Sequence, residues 1–124
     1  MDMDDGLVPL QAQTEGRRGA TYLLTTNDDG SPHAAVVRAY WELGRLRAEV
    51  SGRTEANIER RPAVSIIWPP DEPDGYSLFV DADAVVLMDG SISARPLRGV
   101  MHRPGEPTEP DAACGSDCVV LFPG

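Results

Sequence analysis

The sequence predicts a mainly β protein whose short antiparallel strands form a barrel or a sandwich. Apolar and β-branched stretches of about five to ten residues recur along the chain, tight-turn residues separate most of them, and there is no repeat of fixed period. About seven strands and one or two short helices account for these stretches. Strands joined by tight hairpins are typical of antiparallel barrels and sandwiches.

The length of 124 residues suits one domain, because single cores commonly occupy about 100–150 residues. We therefore predict a single domain over residues 1–124, and we expect any surplus apolar surface to indicate a dimer. Residues 1–6 are polar and terminal, and are predicted to be disordered. Residues 104–113 are acidic and rich in proline, which predicts a linker before the last strand.

The first elements are a short helix and a hairpin. The helix is predicted from Val8 to Glu15, with Pro9 in its first turn and Gly16 at its end. Ala20 to Thr26 is rich in β-branched and aliphatic residues and predicts a strand. Asn27 to Pro32 consists almost entirely of turn-forming residues, so a hairpin follows.

Two more strands and a helix are predicted next. The second strand runs from Ala34 to Trp41, and Glu42 to Arg45 forms a turn. Leu46 to Ser51 alternates apolar and polar residues, which is the pattern of a half-buried strand. Thr54 is predicted to cap a short helix that Pro62 ends.

The fourth and fifth strands are predicted on either side of a proline-rich loop. Ala63 to Trp68 is apolar apart from Ser65, which predicts a strand buried on both faces. Ser77 to Met88 is long for one strand, and Asp81 and Asp83 in its middle predict a bend or bulge.

The last strands follow a second strong hairpin signal. Asp89-Gly90 predicts the turn and Ser91 to Arg103 the returning strand. Pro96 places that strand at a sheet edge or at a break. Cys118 to Phe122 has the length of one closing strand.

The charge pattern excludes several kinds of partner. The net charge is −9, from 20 acidic and 11 basic residues, and every basic residue is an arginine. Nucleic acids and anionic membranes attract net positive proteins, so neither is expected as a partner. An anionic ligand would be bound by guanidinium, hydroxyl or backbone N–H groups.

The sequence also predicts a location. No stretch approaches the ~20 apolar residues of a membrane-spanning helix. The acidic N-terminus lacks the basic-then-apolar order of a signal peptide, so a cytoplasmic protein is predicted.

The two cysteines are therefore predicted to be reduced thiols. Cys114 and Cys118 could also form a redox pair, or a zinc site with His102 and an aspartate. Their spacing is not among the strong zinc-binding spacings, which favours plain thiols. His33 follows a turn and is predicted to be a turn or surface residue.

The order of motifs between Ala20 and Met88 resembles the pyridoxamine 5'-phosphate oxidase-like, FMN-binding split-barrel family. The order of these motifs is more specific than any one of them. The motifs are Leu23-Leu24-Thr25-Thr26, Asp29-Gly30-Ser31-Pro32-His33, Val36-Val37-Arg38, Ser51-Gly52-Arg53-Thr54, Asn57-Ile58 and Arg61-Pro62-Ala63-Val64-Ser65.

The resemblance implies a split β-barrel of about six or seven strands that forms a homodimer. It implies a cofactor, FMN or a deazaflavin coenzyme, in a groove at the dimer interface. The expected function is that of a flavin-dependent oxidoreductase with a small-molecule substrate. In such a protein the cofactor carries the hydride or electron chemistry.

The resemblance also implies a set of cofactor-binding residues: Val37, Arg38, Ser51, Arg53, Thr54 and Asn57. The family usually carries a lysine three residues before the asparagine, and this chain has Thr54 there. A threonine hydroxyl offers a hydrogen bond where lysine offers a positive charge. Arg53 and the N–H groups at the start of the helix could take over the phosphate.

Two other functions remain open: a flavin- or haem-binding protein without turnover, and a dimeric split barrel without a cofactor. The missing lysine supports both. Arg38 could also be paired with a carboxylate or face outward, and Arg53 and Thr54 could be a solvated side chain and a helix cap. Trp41 and Trp68 could stack on a flavin ring, but packing in the core or dimer interface is favoured.

Overall fold

The computed structural model describes residues 6–104 and 116–123. This part of the chain contains two helices and eight strands, and confirms the mainly β prediction. In chain order the elements are α1 (Val8–Glu15), β1 (Thr21–Thr26), β2 (Pro32–Val37), β3 (Tyr40–Glu42), β4 (Arg45–Glu49), α2 (Gly52–Arg60), β5 (Ala63–Trp68), β6 (Ser77–Val86), β7 (Ser91–Pro104) and β8 (Ser116–Phe122). Most of the predicted disordered start, most of the predicted linker, and Cys114 lie outside the described residues.

The strands form one antiparallel sheet that curls into a split barrel. The strand order is β2-β1-β5-β6-β7-β4-β3, and β8 pairs with β7 outside this path. The two ends of the path, β2 and β3, are joined only by Arg38 and Ala39. Four consecutive residues span at most about 11 Å, so the two sheet edges must lie close together. This short connection is why the sheet rolls up.

Strand β7 changes its outer neighbour halfway along its length. Residues Ser91 to Ala94 pair with β4, and residues Gly99 to Pro104 pair with β8. Pro96 lies between the two pairings, so its missing N–H group removes no hydrogen bond to β4 or to β8. The register with β6 shifts at the same point, between Asp81 and Ala82. The predicted bulge and the predicted break at Pro96 are therefore one feature.

Three tight turns lie where the sequence predicts them. Leu43 and Gly44 both have positive φ, 52° and 76°, as a two-residue hairpin turn of type I′ requires. The turn between β1 and β2 is closed by the Asn27 N–H donating to the Ser31 carbonyl oxygen at 2.8 Å. The Asp89-Gly90 turn is closed by a 2.7 Å bond from the Leu87 N–H to the Ser91 carbonyl oxygen.

Two predicted strands differ from the structure. The predicted strand from Ala34 to Trp41 is two strands, because the chain leaves β1 after Val37 and begins to pair with β4 at Tyr40. The prediction that β5 is buried on both faces is wrong, because burial alternates along it. Val64, Ile66 and Trp68 face the core, and Ser65 and Ile67 between them are partly exposed.

The predicted start of α2 is also wrong. The helix begins at Gly52, two residues before Thr54, and Ser51 is its N-cap in an extended conformation. Gly52 has φ +59°, in the left-handed region that glycine adopts without steric cost. Thr54 is instead 4% exposed on the inner side of the first turn. The predicted acidic first turn (Glu55) and basic last turn (Arg60) are present.

Helix α1 closes one end of the barrel. Leu10 is fully buried and lies against Gly99, where an added Cβ would be 2.7 Å from Leu10 Cδ1. Trp68 belongs to the core and Trp41 packs against it, which confirms the favoured packing role. Neither of the two described helices has the length and apolar character needed to cross a membrane.

One apolar row crosses the outer face of six neighbouring strands, and we call it the outer row. Side chains at paired positions point to the same face of a sheet. The outer row consists of Val36, Tyr22, Ile67, Phe79, Val100 and Val120, paired in that order. Val36 is 67% exposed and Val120 56% exposed, whereas Val100 is 5% exposed, so this chain leaves apolar surface open to solvent towards the two ends of the row.

Candidate functional site

Two surface clefts contain most of the residues that the sequence predicts for a site. Cleft A has a volume of about 580 Å³ and lies between the β1–β2 turn and the start of α2. Its lining residues are Asn27, Asp28, Asp29, Gly52, Arg53, Ala56, Asn57 and Arg60. Cleft B has a volume of about 880 Å³ and lies where β2 ends, beside the segment between α1 and β1.

The start of α2 gives cleft A groups that can bind an anion. The first N–H groups of a helix have no partner within the helix, and the Ser51 side chain does not cap them. Arg53 is exposed at this end of the helix and forms no ion pair with a described residue. A guanidinium beside free backbone N–H groups is a suitable arrangement for a phosphate.

Two aspartates in cleft A act against a bound anion, but both are already engaged. Asp28 accepts hydrogen bonds from Arg61, at 2.5 Å, and from Arg60. Both bonds lower the pKa of Asp28, and the bond from Arg61 makes the larger contribution. Asp29 accepts bonds from the Ser31 hydroxyl and N–H, and these lower its pKa, with a smaller contribution from the charge of Arg53.

Asn57 holds α2 against the first hairpin. Its side-chain amide donates to Thr25 Oγ1 at 3.0 Å and to Asn27 Oδ1 at 2.9 Å. Asn57 is 5% exposed, so these bonds lie largely out of water. It lines cleft A, yet both of its N–H bonds stabilise the wall of the cleft.

Cleft B combines arginine with aromatic and acidic side chains. Arg18 and Arg38 are exposed on it, and neither forms an ion pair with any described residue. Tyr40 and Trp68 contribute aromatic surface, and Glu49 contributes a carboxylate.

The segment before β1 is fixed in place by Arg17. Its Nη1 donates to the carbonyl oxygens of Tyr76, at 2.5 Å, and of Trp68, at 3.3 Å. Burial lowers the pKa of this guanidinium, although the charge of Asp71 acts in the other direction. Asp71 also accepts a 3.1 Å bond from the Arg18 N–H. The backbone of Arg18 is therefore fixed by its own bond to Asp71 and by the bonds of Arg17, and its side chain is exposed on cleft B.

The two clefts lie at opposite ends of the β1–β2 hairpin. Asn27, on cleft A, directly follows Thr26 at the turn end of β1. Thr21 and Val37, on cleft B, are paired at the other end. Five residue steps along a strand span about 17 Å. An elongated ligand lying along the hairpin could reach both clefts.

The predicted site residues are distributed unevenly. Arg53 and Asn57 line cleft A, and Val37 and Arg38 line cleft B. Ser51 and Thr54 line neither cleft, and the Thr54 side chain is buried. Arg38 is exposed, which agrees with one of the two alternatives to a cofactor-binding role, namely a side chain that faces outward.

Sequence reasoning missed Arg18, Tyr40 and Glu49. Arg17-Arg18 is the one basic pair before β1 in an acidic chain, and this was the available signal for Arg18. Among the described residues there is no cluster of three metal-binding side chains. The zinc alternative also requires Cys114, which lies outside them.

Comparisons with known proteins give close sequence relatives and more distant structural ones. No protein-family model matches the sequence. Uncharacterized protein Mb0449c of Mycobacterium bovis and uncharacterized protein MT0457 of Mycobacterium tuberculosis are each 35% identical over 122 residues. Each alignment covers 81% of this chain and 83% of the relative.

The structural neighbours identify the fold. A protein from Clostridium acetobutylicum, related to general stress protein 26 and described as of the pyridoxinephosphate oxidase family, is 11% identical with a TM-score of 0.63. The match covers 83% of this chain and 91% of that protein. A solved F420 reductase is 22% identical with a TM-score of 0.54, covering 67% of this chain and 90% of that one. Both likenesses confirm the predicted split-barrel fold.

Proposed function

The chain belongs to the family of the two mycobacterial proteins and has the split-barrel fold of the pyridoxamine 5'-phosphate oxidase-like proteins, and from this we propose that it is a flavin-dependent oxidoreductase. We propose FMN as the cofactor, with a deazaflavin coenzyme as the alternative. The observation that supports this proposal best is the pair of clefts along one hairpin, because each is lined by an arginine, Arg53 or Arg38, that forms no ion pair with a described residue.

The residues of cleft A suit the phosphate end of such a cofactor. Arg53 would supply the positive charge, and the first N–H groups of α2 would supply further donors. The Ser51 hydroxyl is available because it does not cap the helix. Thr54 would contribute its backbone N–H, since its side chain is buried. Asn57 would keep the helix start in position.

The flavin ring would extend towards Val37 and Arg38 in cleft B. When bound, the cofactor would supply the hydride or electron transfer. The chain's own residues would hold and orient it and exclude water, and no described side chain is required as a nucleophile. FMN is favoured over a deazaflavin with a polyanionic tail because Asp28, Asp29, Glu55 and Glu59 lie on or beside cleft A.

We further propose that the protein is a homodimer in which the outer row is the interface. Apolar patches that span several strands commonly mark interaction surfaces. Val36 belongs to the outer row and also lines cleft B, so a second subunit on this face would border the cleft.

A carrier without turnover is the second candidate function. The observation that favours it is the buried Thr54 at the position of the family's lysine, which leaves Arg53 as the only cation at the start of α2. A carrier and an enzyme would both bind flavin, and only the enzyme would transfer electrons between the bound flavin and a substrate faster than free flavin does.

Titration of the purified protein with FMN, FAD, a deazaflavin and haem tests the proposal. We expect one flavin to bind, and Arg53→Ala to weaken its binding by about tenfold or more, the size of one charge-assisted hydrogen bond. Arg45→Ala is the matched control, because Arg45 lines neither cleft and forms no ion pair with a described residue. Absence of flavin binding, or equal effects of both variants, would refute the proposal.

A further inference from the structure

One carboxylate in cleft A is shared by two guanidinium groups. Asp28 Oδ1 accepts a hydrogen bond from Arg61 Nη2 at 2.5 Å, and Asp28 Oδ2 accepts one from Arg60 Nη1. Among the described residues, no other carboxylate forms ion pairs with two arginines. One negative charge against two positive charges leaves this cluster with a net positive charge, in a chain whose own net charge is −9.

The two arginines of this cluster are held differently. Arg61 has a second anchor, because its Nε donates to the Thr26 carbonyl oxygen at 2.9 Å. The Arg60 side chain has Asp28 as its only partner among the described residues. The side chains of Arg60 and Asp28 are 63% and 64% exposed, and exposed ion pairs contribute little to stability. Arg60 can therefore leave Asp28 at small cost, while Arg61 continues to neutralise it.

Arg60 lies on the same side of α2 as Arg53. Arg53, Ala56, Asn57 and Arg60 all line cleft A, and their spacing is that of one helix face. Seven residues separate the two arginines, which corresponds to about 10.5 Å along the helix axis. Ala56 lies between them and leaves room because its side chain is small. An anion bound over Ala56 would have one arginine on either side.

The opposite wall of cleft A carries Asp28 and Asp29, and only one of them occupies an arginine. The Ser31 hydroxyl and N–H donate to the Asp29 carboxylate at 2.6 Å and 2.9 Å. These bonds lower the pKa of Asp29 most, and the charge of Arg53 makes a smaller contribution. Asp29 forms no ion pair with Arg53, whereas Asp28 pairs directly with Arg60. Asp28 is therefore the carboxylate that an incoming anion must displace.

We propose that Arg60 is a second ligand for an anion in cleft A, and that Asp28 is an internal counter-ion that occupies Arg60 until the anion binds. In the bound state Arg53 and Arg60 hold the anion from either side, and Asp28 stays with Arg61. A phosphate group suits this arrangement, because its oxygens can accept bonds from two guanidinium groups and from helix N–H groups together. Identification of this phosphate as that of a flavin rests on the proposed function, whereas the anion site does not.

The test uses inorganic phosphate as the probe, titrated into the full chain without flavin at constant ionic strength and followed by NMR of the backbone amides. We expect Asp28→Asn to bind phosphate at least about threefold more tightly, because the change frees Arg60 and removes a negative charge. The same variant should have a lower melting temperature than the wild type. A gain in affinity together with a loss of stability is not expected of a carboxylate that only stabilises the fold.

Arg60→Gln is expected to weaken phosphate binding by at least about threefold. In the Arg60→Gln background, Asp28→Asn should give a smaller gain than it gives alone, because part of the gain depends on Arg60. Glu59→Gln is the control for charge, because it removes a carboxylate beside Arg60 that does not line cleft A, and its effect should be smaller than that of Asp28→Asn. Arg95→Gln breaks an exposed ion pair outside the cleft, with Asp83, and should leave the affinity unchanged.

No phosphate binding by the wild-type chain, equal gains in Asp28→Asn and Glu59→Gln, or unchanged affinity in Arg60→Gln would each overturn the proposal. Parallel titrations with FMN and riboflavin, which differ by the phosphate group, separate it from the proposed function. If phosphate binds as expected but neither flavin does, the oxidoreductase function fails and the anion site stands. If FMN binds and Arg60→Gln leaves its preference over riboflavin unchanged, this inference fails and the proposed function stands.

Discussion

Individual polar residues around cleft A stabilise the fold and also shape the site. Asp28 joins the β1–β2 turn to the last turn of α2 through Arg60 and Arg61, and Asn57 joins the same two elements from the inner side. Neither set of bonds requires a ligand. A substitution here would change both stability and binding, so a loss of binding alone would not identify a ligand contact.

The Asp28 bonds predict an acid-sensitive contribution to stability. Because Arg61 and Arg60 lower its pKa, Asp28 stabilises the fold above the unfolded value of about 3.9, and this stabilisation is lost as the pH falls through the lower folded value. We expect Asp28→Asn to lower the melting temperature at neutral pH, and we expect this difference from the wild type to shrink as the pH falls below about 3.9. Asp74 is exposed and forms no ion pair with a described residue, so Asp74→Asn should have the same melting temperature as the wild type at neutral pH. A gap for Asp28→Asn that persists at low pH would contradict the prediction.

At the same scale, the residues that sequence reasoning identified differ from those it missed in one respect. Arg53 and Asn57 belong to a local motif at the start of a helix, so their proximity depends on residues near in sequence. Arg18 and Glu49 come from distant segments, and only the rolled sheet brings them to one cleft. The sequence placed Thr54 near the start of the helix but did not predict that its side chain is buried, because burial depends on how α2 lies on the sheet.

At the scale of elements, turns were predictable and strand breaks were not. The three hairpin turns contain Gly30, Gly44 and Gly90, each at positive φ, and tolerance of positive φ is a local property of glycine. The break between β2 and β3 falls at Arg38 and Ala39, within a mostly apolar stretch that predicts one continuous strand, because the partner strand changes there. No residue type marks that change. In contrast, Pro96 does mark the partner change in β7, because proline cannot donate a hydrogen bond.

The contact between α1 and β7 predicts a coupled effect of two substitutions. In Gly99→Ala the new Cβ would lie 2.7 Å from Leu10 Cδ1, and Leu10 has no exposed surface into which it could move. We expect a loss of about 1–3 kcal/mol in the free energy of unfolding, measured by denaturant titration. Gly16→Ala is the matched control, because its Cβ would meet no atom within 4 Å.

The double-mutant cycle identifies the cause. Leu10→Ala alone should cost about 2–5 kcal/mol through the cavity that it leaves. In that background Gly99→Ala should cost little, because the clashing atoms are gone. If the two effects simply add, the clash is not the source of the loss.

At the scale of the whole molecule, the rolled sheet gives the chain two faces with different roles. The inner face forms the core, which α1 closes at one end. The outer row leaves apolar surface on the opposite face, from the exposed edge strand β2 to β8. Val36 at the edge joins this surface to cleft B. Assembly and ligand binding would therefore be linked through the same edge of the sheet.

The outer row predicts how a single charge would change the assembly. Val36 is 67% exposed, so Val36→Glu should leave the folded monomer intact. In a dimer formed through the outer row the new carboxylate would be buried without a partner, and this should raise the dimer dissociation constant by at least about tenfold. Leu43→Glu is the matched control, because Leu43 is 93% exposed in the β3–β4 turn and lies outside the row. Sedimentation velocity should show a dimer for the wild type and for Leu43→Glu, and a shift to monomer for Val36→Glu. A wild-type monomer would refute the proposed dimer, and a dimer equally stable in all three proteins would place the interface elsewhere. Either result would separate cleft B from the assembly.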